Sequence, residues 1–66
     1  MIYIDHLKTY PKGKFSHMVS DVSLAELHSF AKEIGVHRCW FENKERHPHY
    51  DVNELYFQIA VQNGAK

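Results

Sequence analysis

The sequence predicts one small α/β domain, a sheet covered by two helices in the order β-β-α-β-α, with α+β as the alternative class. Three observations carry this. The runs Ile2–Asp5 and Phe15–Ser20 alternate with the period of strands. Ser23 and Glu26 have capping-box spacing at the head of an apolar stripe that ends at Gly35. The 66 residues hold no repeat, low-complexity tract or linker, so residues 1–66 make a single domain.

The elements follow in order. Ile2 to Asp5 reads as a first strand, and Lys8 to Lys14, with Pro11 and Gly13 among lysines, as a loop. Phe15 to Ser20 is a second strand, with Phe15, His17 and Val19 on one face and Ser16, Met18 and Ser20 on the other. The spacing predicts a helix over 23–34. Ser23 is its cap, Val22 and Leu27 are a hydrophobic staple, and Leu24, Leu27, Ala31 and Ile34 form the buried stripe. Val36 to Phe41 supplies a third strand, and strand–helix–strand implies a right-handed parallel crossover. Asn43 to Pro48 reads as a charged loop. Asp51 and Glu54 repeat the capping spacing and open a second helix with the stripe Val52, Leu55, Tyr56 and Ile59, ending at Asn63-Gly64.

Composition excludes several function classes. A domain this short has a thin stability margin, and small domains are commonly helped by disulfides, a metal or a second chain. Cys39 is the only cysteine, so no disulfide forms within the chain, and a lone thiol suits a reducing compartment. The N-terminus runs straight into Ile2-Tyr3-Ile4 without a basic, apolar leader, and no run approaches the ~18 apolar residues of a membrane span. The expected address is the cytoplasm, with no membrane partner. Eight basic and eight acidic residues give zero net charge, which argues against a general nucleic-acid binder and for self-association, with a homodimer expected. Gly13, Gly35 and Gly64 are scattered and form no phosphate loop, and no serine nucleophile elbow occurs. Cys39, placed mid-strand beside Trp40, reads as an inert buried thiol.

Tyr3-Ile4-Asp5, Ser16-His17-Met18, Glu26-Leu27-His28, Phe30-Ala31, Ile34-Gly35, Arg38-x-Trp40-Phe41, His47-Pro48-His49-Tyr50-Asp51 and Gly64-Ala65 together resemble the bacterial and phage domain of unknown function 4031. The likeness covers nearly the whole chain, and its most specific part is the Trp-Phe pair followed by His-Pro-His-Tyr-Asp. It implies a small stand-alone cytoplasmic protein, often encoded by phages or prophages, and no particular activity. Relatives tend to carry basic residues early in the last helix. Here that stretch reads Glu54-Leu55-Tyr56-Phe57, which removes the basis for an anion site there.

Six histidines stand out in so short a chain. His47 and His49, two apart in an extended segment, point to one side, and Asp51 adds a carboxylate. This set, His47, His49 and Asp51, suits a divalent metal such as zinc, iron, manganese or nickel. Pro48 biases His47 towards an extended backbone. The competing reading is structural, with Asp51 capping the second helix and His49 and Tyr50 packing across the loop. Asp5, at the end of the first strand, is either a crevice residue of an open α/β sheet or a turn residue. His17 is either a rim residue or a ligand. Arg38 and Trp40, alternating on the third strand, either hold a carboxylate or phosphate beside a stacking ring or form an Arg–Glu pair over the core.

Two functions follow as expectations. One is a ligand-binding module in which Asp5, His17, Arg38, Trp40, His47, His49 and Tyr50 line a pocket for a nucleotide, another phosphate-bearing small molecule or a divalent metal. The alternative is a phage-type interaction protein that dimerises and docks on another protein, for which Phe57 and Val61 give helix 2 a second apolar face. At this size a catalytic pocket would call for two subunits, and the sequence makes no commitment to catalysis.

Overall fold

A computed structural model describes residues 1–44 and 47–66. It holds one five-stranded, wholly antiparallel sheet with two helices packed on β3 and β5. The strands are β1 (Ile2–Ile4), β2 (Lys8–Tyr10), β3 (Gly13–Ser20), β4 (Phe41–Lys44) and β5 (His47–Asn53), and the helices are α1 (Leu24–Ile34) and α2 (Glu54–Gln62). The strand order is β1-β3-β5-β4, with β2 also paired to β3. The small sheet covered by two helices is therefore found, in the order β-β-β-α-β-β-α.

The alternation of β3 decides which face is covered. Ser16 and Met18 are buried under the helices, whereas Phe15, His17 and Val19 share the other face and are only half-buried. β5 repeats the pattern, with Tyr50 and Val52 buried and His49, Asp51 and Asn53 opposite them. The core gathers Ile2, Met18, Leu27, Ala31, Ile34, Val36, Tyr50, Val52, Ala60 and Ala65. Ser16 is the buried polar exception, and its hydroxyl has no hydrogen-bond partner among the described residues.

α1 forms where its local signals place it. Ser23 Oγ accepts from Glu26 N–H at 3.1 Å, and Gly35 closes the helix at φ 86°, a left-handed conformation that suits glycine. The reciprocal half of the capping box is diverted. Glu26 bonds the Ser20 hydroxyl and the N-terminal amine, while Ser23 N–H donates to Ser20 Oγ. Val22 and Leu24 are exposed, so the staple does not form and the stripe narrows to Leu27, Ala31 and Ile34.

Five expectations are corrected. Lys8 to Lys14 is mostly hairpin: Tyr10 pairs with Gly13 across the Pro11-Lys12 turn. Among the described residues there is no parallel crossover, because the chain leaving α1 makes a 3₁₀ turn at Arg38–Trp40 and enters β4, an edge strand antiparallel to β5. This turn sets Trp40 edge-on to Tyr56 of α2, with ring centroids 5.5 Å apart, and leaves Cys39 exposed rather than buried. The supposed loop Asn43 to Pro48 is strand on both sides, Asn43 pairing with Pro48 and Lys44 with His47; its residues 45 and 46 lie outside the described residues. Finally, Asp51 is a strand residue and does not cap α2. Asn53 does, its Oδ1 accepting from Tyr56 N–H at 3.1 Å. The helix consequently starts later than expected, and Leu55 turns outwards.

Candidate metal centre

The register of β3 against β5 sets His17 opposite Asp51. Both side chains lie on the sheet face that the helices leave uncovered, and His49 follows two residues earlier on the same face of β5. The His17 and His49 rings meet edge to face, 4.7 Å between centroids. His17 Nε2 is 3.5 Å from Asp51 Oδ1, and His49 Nε2 is 3.4 Å from the same oxygen. One ligand atom from each of the three residues lies within 4.8 Å of the others.

The remaining ring nitrogens fix the tautomers. His17 Nδ1 lies 3.0 Å from Asp5 Oδ2, and His49 Nδ1 lies 2.7 Å from the carbonyl oxygen of His47. Carboxylate and carbonyl oxygens only accept, so both Nδ1 atoms carry hydrogen and donate. Both Nε2 atoms are thereby turned towards Asp51 with a lone pair unless a further proton occupies it. Two lone pairs facing a carboxylate repel unless a cation stands between them, either protons or a metal ion.

Each has a characteristic spacing. Charge-assisted N–H···O⁻ bonds shorten to about 2.7–2.9 Å. Ligand atoms about 2.1 Å from a tetrahedral ion stand about 3.4 Å from one another. The two nitrogen–oxygen separations, 3.4 and 3.5 Å, are compatible with the second spacing. Asp5 and the His47 carbonyl hold the outer nitrogens of His17 and His49, as the hydrogen-bond partners of metal-ligating histidines do elsewhere.

The sequence-derived residues separate into groups. Asp5, His17, His49 and Asp51 converge. His47 lends its backbone carbonyl, and its exposed ring is not part of the cluster. Tyr50 points the other way, its hydroxyl 2.7 Å from His28 Nδ1 beneath α1. Burial, and next the Arg38 charge, hold the His28 imidazole below its ordinary value, while burial pushes the Tyr50 phenol up. The pair is therefore neutral near pH 7. Arg38 stacks over the Phe41 ring at 5.8 Å and lines a cleft on this helix side with His28 and Tyr50.

Two clefts open on the face that carries His17 and Asp51. The larger, about 510 Å³, is walled by Tyr10, Pro11, Lys12, Phe15, His17 and Asp51. The smaller, about 290 Å³, is walled by Phe15, Cys39, Trp40, Glu42, Asp51 and Asn53. Lys12, Phe15, Glu42 and Asn53 were not among the residues expected at a site. The polar–apolar alternation of His49-Tyr50-Asp51-Val52 was the available signal that this segment is a strand with one polar face.

On α2, Val61 and Leu55 are exposed and Phe57 is half-buried. Phe57 and Val61 are about one turn apart and share a side of α2, while Leu55 stands about 120° from Val61. No helix is long and apolar enough to cross a membrane among the described residues.

Residues 2–66 match a family described as "Protein of unknown function (DUF4031)". No curated protein and no solved structure matches the chain.

Proposed function

We propose that this chain, which belongs to that family of unassigned activity, is a metal-binding module that holds a divalent transition ion between His17 Nε2, His49 Nε2 and Asp51 Oδ1. The observation that carries this is the pair of imidazoles whose Nδ1 hydrogens are committed outwards, to Asp5 and the His47 carbonyl, leaving both Nε2 atoms at ligand spacing from one carboxylate oxygen. Two imidazole nitrogens and one carboxylate oxygen are a donor set that favours zinc.

Three protein ligands leave a zinc ion an open position, as in ion sites that bind or activate a small molecule rather than only brace a fold. His17 and Asp51 wall the larger cleft and Asp51 the smaller, so an ion held by them would border both. An ion held there polarises an oxygen of whatever occupies the clefts.

The test is elemental analysis of untagged protein together with a cobalt(II) titration. The expected result is one ion per chain and the visible absorption of tetrahedral cobalt, both lost in His17→Ala and His49→Ala. Protein that carries no metal and gives no cobalt spectrum overturns the reading.

A further inference from the structure

We infer that the ion is the midpoint of a longer groove that takes a nucleoside monophosphate, phosphate at the Lys12 end and base at the Trp40 end. This rests on the metal reading and extends it to a ligand. The two clefts are not independent, since Phe15 and Asp51 wall both. The clefts adjoin at these two residues, so a ligand lying over Phe15 and Asp51 reaches both, from the β2–β3 hairpin tip, past His17 and Asp51, to the 3₁₀ turn before β4.

Its two ends differ in chemistry. At the hairpin tip, Lys12 supplies a cation beside the apolar walls of Tyr10 and Phe15. With an ion between His17, His49 and Asp51, this end presents two positive centres to one anionic group, the requirement of a phosphate that bridges a metal and a lysine. The other end combines Trp40 with Glu42 and Asn53. Asn53 Oδ1 is engaged by Tyr56 N–H, so its amide nitrogen is the donor it offers the groove, and Glu42 is an acceptor. An apolar ring wall beside one donor and one acceptor fits the edge of a base. A bare anion would leave this half of the groove unfilled, and a neutral ring would leave Lys12 and the ion without a partner.

Trp40 is the only tryptophan, so its fluorescence reports occupancy of the base end directly. Adenosine monophosphate, adenosine and inorganic phosphate are titrated into zinc-loaded and zinc-free protein, with zinc content measured in parallel. The expected result is a saturable fluorescence change with the monophosphate on zinc-loaded protein, at least about tenfold tighter than with adenosine or phosphate, the scale of one charge-assisted contact. Lys12→Ala, on an exposed turn, weakens the monophosphate about tenfold and leaves zinc content unchanged. Zinc binding with no fluorescence response overturns the groove assignment and leaves the metal reading standing. Equal affinity without zinc, or phosphate binding as tightly as the monophosphate, also overturns it. Absence of zinc binding removes the metal reading itself.

Discussion

Asp5 holds His17 at two points: its Oδ1 accepts the His17 backbone N–H at 2.7 Å and its Oδ2 accepts the ring Nδ1–H at 3.0 Å. The lower grip continues the β1–β3 ladder beyond Ile4, and the upper one fixes which imidazole nitrogen faces Asp51. Asp5→Asn keeps the size but loses the charge and one acceptor. Metal affinity is expected to fall by about 10–100-fold, as for other orienting partners of ligating histidines. Competition against a chromophoric chelator measures it, and an unchanged affinity would show that Asp5 only ties β1 to β3.

His47 and His17 give opposite expectations. His47 contributes its carbonyl oxygen, which His47→Ala retains, so metal binding survives that change. His17→Ala removes a ligand, and binding is lost. The pair of variants, compared by cobalt absorption, distinguishes the ligand set His17, His49 and Asp51 from the set His47, His49 and Asp51 that the His-x-His spacing suggests.

The sequence names His49, Asp51 and His17 alike as candidates but joins only the first two, and the reason is the range of the signal. The 47–51 segment announces itself locally through its residue types. His17 joins it only through the pairing of β3 with β5, and no single-sequence pattern specifies which strands pair or in what register. The same limit explains the fold. α1 was readable because Ser23 and Gly35 act within a turn of the helix. The strand–helix–strand spacing fits a parallel crossover as well as the 3₁₀ turn and hairpin that the chain adopts, and the choice rests on Trp40 packing against Tyr56, far along the sequence.

The His28–Tyr50 pair predicts a pH dependence. Burial and the Arg38 charge lower the His28 value in the fold. The unfolded chain therefore takes up the proton first as acid is added. This contribution to stability is fully present above the ordinary histidine value of about 6.5 and is lost as pH falls through the depressed folded value. Urea melts of metal-free protein at about pH 7.5 and about pH 5.5 should show a loss that is smaller in His28→Gln. An equal loss in both proteins would assign the effect to other groups.

Ser16 predicts a gain. Its hydroxyl is buried on the helix side of β3, without a partner among the described residues. An unsatisfied buried hydroxyl costs about 1–3 kcal/mol, and alanine removes it at the expense of a very small void. Ser16→Ala is expected to be between neutral and about 1 kcal/mol more stable in urea. A loss greater than about 1 kcal/mol would mean that the hydroxyl is satisfied in solution.

Asp51 and Asn53 sit two residues apart on one face of β5, and only one of them starts a helix. Asn53 Oδ1 receives Tyr56 N–H, whereas Asp51 Oδ1 faces the two imidazoles. Replacing Asn53 by alanine exposes an unpaired first-turn N–H and is expected to cost about 1 kcal/mol. Asp51→Asn leaves the helix start untouched, so metal-free stability should change by less than that, while the carboxylate needed to neutralise the ion is gone and metal binding should fail. Urea midpoints and cobalt titrations on the two variants read both effects. If Asp51→Asn instead costs as much stability as Asn53→Ala and still binds cobalt, Asp51 serves the fold and not the ion, because only a structural role couples its charge to the helix without touching the metal.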